Sequence, residues 1–183
     1  FSDVGLDYWV SGYGTGGTIS GVGRVLREKS PGTKIILTEP ENAALIGSEL
    51  KQDRHSDNTP AKSHSSWNPH LIQGWTPDFI PFVLQEAIDN NYFDKLLPVS
   101  GEQGITWAKR LARAEGIITG ISGGSTFAIA MEVAKDAPPD SNILCMLPDT
   151  GERYLSSPLF EEIPEEMTDD EKKISLSTPN YQL

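Results

Sequence analysis

Stretches of continuous apolar sequence alternate with stretches of helical periodicity along this chain, and that alternation limits the folds open to it. "LDYWVSG" (6–12) is filled by aromatic and β-branched residues, as a strand requires. From Thr18 to about Lys29 the pattern becomes helical, with Ile19, Val22, Val25 and Leu26 at helical spacing. "SPGT" stops that helix, and "KIILTEP" (34–40) reads as a second buried strand. A short helix lies within "PDFIPFVLQEAIDNN", and "KLLPVS" is the next strand. Ser100 and Gln103 form a capping-box pattern for the helix "EQGITWAKRLARAEG". "GIITGIS" (116–122) reads as a strand, "STFAIAMEVAKD" as a helix and "NILCMLP" as the last strand. Such alternation implies an α/β fold, a mostly parallel sheet with helices on both faces.

Bulk properties narrow the partners. Acids outnumber bases 26 to 15, a net charge of −11, which disfavours a nucleic-acid backbone or an anionic membrane. No apolar run reaches the length of a membrane span. The single cysteine, Cys145, rules out an internal disulfide framework and fits a reducing, cytoplasmic or organellar compartment. Its apolar surroundings predict a buried core thiol. The polar, patternless segment 51–70 reads as an exposed loop, and His55, His64 and His70 in or beside it read as solvated residues with poor metal spacing. Seven of the eleven residues from Glu161 to Glu171 are acidic, so 161–183 reads as a surface tail or arm beyond a domain of residues 1–160. The other reading of that tail is a docking segment for another subunit.

"VSGYGTGGTISGVGRVL" (10–26) carries the first chemistry. A strand turning through glycines into a helix start makes an anion site, because free backbone N–H groups and the helix dipole point at one place. Two ligands suit it. One is a dinucleotide: Gly12, Gly14 and Gly17 fit G-x-G-x-x-G, and Glu39 ends the next strand roughly twenty residues on, where a ribose-binding acid belongs. The other is a single phosphate in "GTGGT" (14–18), with the Thr15 and Thr18 hydroxyls as further donors. No lysine or arginine stands in this stretch before Arg24, so backbone dipoles must do most of the neutralising.

Four motifs in order, "GTGGT", "IQGWTPDFIP" (72–81), "GISGGST" (120–126) and "GERYLSSPLF" (151–160), resemble the cysteine synthase and cystathionine β-synthase group of pyridoxal-phosphate enzymes. The likeness runs from about Leu6 to Phe160. It implies fold type II, similar to the tryptophan synthase β-subunit, with pyridoxal 5'-phosphate as cofactor. It also implies that Gly14, Thr15, Gly16, Gly17 and Thr18 hold the cofactor phosphate, that the Ser122 hydroxyl donates to the pyridine nitrogen, and that Gly74 lies on the substrate side. A ring held by a hydroxyl stays largely unprotonated and is a milder electron sink than one paired with aspartate.

This chain departs from the resembled pattern at Trp75, Thr76, Pro77 and Asp78, where more glycine is expected; Trp75 suits either a lid or a core anchor. In "GERYLSS", Glu152 and Arg153 suit a tie to the sheet, Tyr154 and Leu155 suit packing, and Pro148 and Asp149 stand near the ring edge. No lysine here has the context of a Schiff-base residue. That lysine and the substrate-carboxylate loop are therefore expected upstream of Phe1, in an N-terminal half without which this chain is expected to be inactive. The implied reaction is β-replacement, making L-cysteine from O-acetylserine and sulfide in a homodimer. A cystathionine β-synthase-type enzyme, a non-catalytic relative and a dinucleotide-dependent oxidoreductase are the alternatives.

Overall fold

The computed structural model describes residues 1 and 3–177. β1 (Tyr8–Gly12) leads through the glycine turn into α1 (Gly17–Lys29), and β2 (Lys34–Pro40) follows. After a long loop come α2 (Phe82–Asp89), β3 (Lys95–Val99), α3 (Gly101–Glu115), α4 (Ile121–Asp136), β4 (Ile143–Cys145) and α5 (Asp169–Ser177). The four strands make one parallel sheet in the order β3-β2-β1-β4, with Tyr8 opposite both Lys34 and Ile143.

Both faces of that sheet are covered, because successive strand residues point to opposite sides. Trp9, Ile35 and Leu37 pack on one side with Ile19 of α1 and Leu84 of α2. Val10, Ile36 and Val99 pack on the other with Ala108 of α3 and Ile129 of α4. The capping box of α3 is complete: Gln103 N donates to Ser100 Oγ at 3.0 Å, and Ser100 N donates to Gln103 Oε1 at 2.9 Å.

The expected strand at 116–122 is absent. Thr119 makes only an isolated bridge to Thr150, and α4 already begins at Ile121, so Ser122 sits in a helical first turn rather than closing a strand. The reason is packing. A Cβ on Gly124 would lie 2.1 Å from the Gly104 carbonyl oxygen, and one on Gly104 would lie 2.3 Å from Ser125 Oγ. These glycines therefore let α3 and α4 approach closely, and α4 is buried from Ile121 to Thr126. A short apolar run of that kind has no periodicity to separate it from a strand.

Three further expectations change in detail. The 51–70 loop is not wholly exposed: Gln52 is buried, accepting from Ile80 N at 3.0 Å and donating to the Lys62 carbonyl at 2.8 Å. His64 is buried too, its Nδ1 accepting from Ser66 N at 3.2 Å, which leaves Nε2 to donate to the Leu50 carbonyl at 3.1 Å. Cys145 is half-buried rather than fully enclosed, and burial pushes its thiol up, away from the reactive thiolate. Residues 161–177 are exposed, and α5 forms within them behind a Thr168–Glu171 capping pair. The remainder of the tail, 178–183, lies outside the described residues.

The start of α1 is fixed from behind. Gly16 caps the helix at φ 90°, and a Cβ there would lie 2.6 Å from the backbone of Leu84 in α2. Gly17 has no such neighbour: a Cβ there meets only Thr15 Oγ1, at 3.8 Å. Gly16→Ala is expected to lower the unfolding free energy by about 2 kcal/mol or more. Gly17→Ala should leave it unchanged or raise it by up to about 1 kcal/mol. Urea unfolding of the two variants checks this, and equal losses would contradict it.

Candidate cofactor site

At the carboxyl end of β1 a cavity of about 380 Å³ opens between the start of α1, the 73–75 loop, the first turn of α4 and the 146–154 segment. This is where ligands gather in open parallel sheets. Gly14, Thr15, Thr18, Gly74 and Ser122 all line it. Gly16 is buried behind the wall and Gly17 is exposed at the helix start. Residues from four separate sequence motifs thus share one space.

The α1 mouth leaves its amides free. The first intrahelical bond runs from Ser20 N to the Gly16 carbonyl at 3.0 Å, so the Gly17, Thr18 and Ile19 amides precede the helix ladder. No side chain caps them, and the first turn carries no acidic residue. Among the described residues, the only formally charged side chain in the cavity wall is Asp149. Neutralisation of a bound anion therefore falls to backbone dipoles and threonine hydroxyls.

Glu39 does not face this cavity. It is 2% exposed, accepts from the Tyr13 phenol at 2.6 Å, and accepts from the amides of Ile46 and Gly47 at 3.1 and 2.8 Å. Burial raises its carboxyl above the ordinary range, and the same bond and burial push the Tyr13 phenol upward. The acid that a dinucleotide ribose needs is thus tied into the core.

Trp75 is an anchor and not a lid. It is 9% exposed and belongs to the core, and its ring lies so close to β1 that a Cβ on Gly12 would sit 2.0 Å from it. Its neighbour Thr76 holds φ 37°, a left-handed conformation that a β-branched residue adopts only when the surroundings enforce it. The enforcement is visible. Thr76 N donates to the Tyr13 carbonyl at 2.9 Å, while its own carbonyl accepts from Trp67 Nε1 at 3.1 Å. His70 Nε2 also reaches that carbonyl, at 3.2 Å. His55 is exposed, and among the described residues no group of histidine, cysteine and carboxylate side chains can hold a metal ion.

The last motif keeps its expected packing role at Tyr154 and loses it at Leu155. Glu152, Arg153 and Leu155 are exposed, whereas Tyr154 is buried and its phenol donates to Asp149 Oδ2 beside Ser122. Ser11, Gln73 and Thr126, which lie within the quoted motifs without having been singled out, also line the cavity, as does Met146, which lies outside them. Ser125 Oγ donates to the Ile121 carbonyl inside α4 at 2.8 Å.

Comparison with known proteins matches residues 2–149 to the family described as "Pyridoxal-phosphate dependent enzyme". The chain is 39% identical over 178 residues to the O-ureido-L-serine synthase of Streptomyces lavendulae, covering 97% of this chain and 48% of that protein. It is 34% identical over 160 residues to a cysteine synthase of Staphylococcus aureus, covering 87% of this chain and 45% of the relative. A crystal structure of an O-ureido-L-serine-bound O-ureido-L-serine synthase superposes with a TM-score of 0.77 at 39% identity, over 97% of this chain and 50% of that one. The Entamoeba histolytica cysteine synthase gives 0.71 at 30% identity, over 91% of this chain and 44% of that one. The chain therefore spans about half the length of the curated relatives it matches.

A doubly covered parallel sheet with an uncapped helix mouth at its carboxyl edge, superposing on these structures, defines an α/β protein of the fold type II class. The chain belongs to the pyridoxal-phosphate dependent enzyme family. The donor set fits that cofactor: uncapped amides without a nearby acid suit its phosphate, and the cavity volume lies in the range of small-molecule sites. Among the described residues no helix is long and apolar enough to cross a membrane.

The Tyr154 phenol is pushed up to about 12 from 10.0, first by burial and then by its bond to Asp149 and the carboxylate's charge. In Asp149→Asn the Tyr154 titration, followed by NMR of tyrosine labelled at Cζ, is expected to fall toward 10 and stop short of it, since burial remains. An unchanged midpoint would contradict the pairing.

Proposed function

We propose that the protein carrying this chain catalyses a pyridoxal-phosphate-dependent β-replacement, with O-acetylserine and sulfide giving L-cysteine and acetate. The observation that carries the reading is that the α1 mouth and Ser122, 104 residues apart by their numbers (122 − 18), line one cavity sized for a single cofactor. In this reading the amides and hydroxyls of Gly14, Thr15, Gly16, Gly17 and Thr18 hold the cofactor phosphate. Ser122 faces the ring nitrogen, and Gly74 lies at the substrate side. The cofactor, when bound, supplies the electron sink that lets a β-substituent leave an amino acid.

The chain's own residues do the binding and orienting. Trp75 closes the floor of the cavity against β1 and keeps water from that side. Gly74, at φ 80°, turns the loop so that its backbone and not a side chain meets the space above Gly14. The Cβ–O bond of O-acetylserine breaks with acetate taking the electron pair, and sulfide forms the Cβ–S bond. The lysine that exchanges the Cα proton is assigned to the N-terminal half of the same enzyme, and the working unit to a homodimer.

The 39% identity to an O-ureido-L-serine synthase supports a second reading, in which a nucleophile other than sulfide adds at the same carbon. An assay of the full-length protein with O-acetylserine, with and without sulfide, separates the two by whether L-cysteine accumulates.

Thr18→Ala tests the phosphate grip by comparing two ligands. In the full-length protein it is expected to weaken pyridoxal 5'-phosphate about tenfold, the loss of one charge-assisted hydrogen bond, and to leave pyridoxal unchanged. Calorimetry measures both. Equal weakening of the two ligands, or binding of NADH in their place, would overturn the assignment.

A further inference from the structure

Residues 51–70 form no helix or strand, yet they fold back on themselves. Ala61 N donates to the Asp53 carbonyl at 2.8 Å, His55 N donates to the Thr59 carbonyl at 2.9 Å, and Arg54 bridges to Pro60. Loops this long that close on their own groups are usually functional.

The remaining polar groups of this loop converge on one target. The stretch 76–80 runs in no sheet, and the loop holds it at every second residue. Trp67 Nε1 donates to the Thr76 carbonyl at 3.1 Å, and His70 Nε2 donates to the same oxygen at 3.2 Å. His64 N donates to the Asp78 carbonyl at 2.6 Å, and Ser63 Oγ donates to the Asp78 carboxylate. Ile80 N donates to Gln52 Oε1 at 3.0 Å, and the Ile80 carbonyl accepts from Arg54 at 2.6 Å.

The residues just before this stretch form the cavity wall. Gln73, Gly74 and Trp75 line the cavity, and a Cβ on Gly14 would lie 2.4 Å from the Gly74 carbonyl oxygen. Thr76, at φ 37°, is the joint between wall and loop. A β-branched residue leaves that conformation unless its surroundings hold it, and leaving it would swing Gly74 and Trp75 out of place. The two ring N–H groups on its carbonyl supply the hold. A carbonyl only accepts, so His70 carries a proton on Nε2, while its buried Nδ1 has no partner among the described residues. Thr76 is thus the one group that His70 serves through its ring.

We infer that residues 51–70 are a brace in which Trp67 and His70 are positioning residues: by fixing Thr76 they set Gly74 and Trp75, and with them the substrate-side wall, before a substrate arrives. The cofactor-phosphate side is independent of the brace, because Gly16 against Leu84 fixes the α1 mouth separately. The choice of substrate in the test rests on the β-replacement reading above.

The test uses the full-length protein with pyridoxal 5'-phosphate bound. Trp67→Phe keeps an aromatic ring and removes its donor, Trp67→Phe with His70→Leu removes both donors, and His70→Gln keeps one. Hydrogen exchange read by mass spectrometry follows the 73–80 amides, and kinetics with O-acetylserine and sulfide follow the site. In the double variant, exchange at 73–80 is expected to rise about tenfold or more, while exchange at the start of α1 and the cofactor affinity stay unchanged. KM for O-acetylserine is expected to rise about fivefold with kcat held within about twofold. His70→Gln is expected to match the wild type. If the double variant does not fold, Trp67→Phe alone carries the test, with a rise in exchange of about threefold. Unchanged exchange at 73–80, a rise spread evenly over the chain, or a loosened segment with unchanged KM overturns the inference. A wild type that holds the cofactor and does not turn over O-acetylserine with sulfide overturns the proposed reaction instead, and the exchange result then decides the brace by itself.

Discussion

The Gly17, Thr18 and Ile19 amides leave α1 with no acceptor in the helix, and the rest of the site is arranged around that mouth. Their direction depends on β1 ending at Gly12 and on Gly16 turning the chain at a left-handed φ hard against Leu84. A side chain at Gly16 would force α1 away from α2 and rotate the mouth off the cavity. The anion site is therefore a product of helix–helix packing as much as of the glycine-rich loop itself. The acidic balance of the chain makes this dependence sharper, because no basic side chain lines the cavity to take over the work.

The opposite wall is built by a different device. α3 and α4 meet through Gly104 and Gly124, which brings the first turn of α4 deep into the protein. Ser122 and Thr126 then reach the cavity from one helix face, four residues apart, with Thr126 Oγ1 donating to the Ser122 carbonyl at 3.0 Å. The 149–154 segment closes against that turn and places one carboxylate and one phenol beside the serine. One wall thus offers uncapped amides and threonine hydroxyls, and the other a serine hydroxyl beside a carboxylate–phenol pair.

Much of this was legible in the sequence, for reasons that can be named. β1, α1, β2 and α3 carry clear periodicity, turn residues and a capping box, and each formed within a residue or two of its expected place. The cavity residues Gly14, Thr15, Thr18, Gly74 and Ser122 came from motifs spread along the chain. What escaped was set by contacts distant in sequence. The 116–122 run looked like a strand because it is short and apolar, with too few residues to show a period, and α4 takes up only its last two residues. His64 is buried by the Leu50 carbonyl and the Ser66 amide, which no local pattern announces. The Asp149–Tyr154 pair lies within one short motif, yet its place beside Ser122 depends on Gly120 having no side chain.

The central claim is that the uncapped start of α1 grips one phosphate. A crystal structure of the full-length protein grown with pyridoxal 5'-phosphate addresses it most directly. The account predicts the phosphorus atom at the α1 mouth, its oxygens within hydrogen-bonding distance of the amides between Thr15 and Ile19. Phosphate density at another helix start, with those amides facing only water, would contradict it.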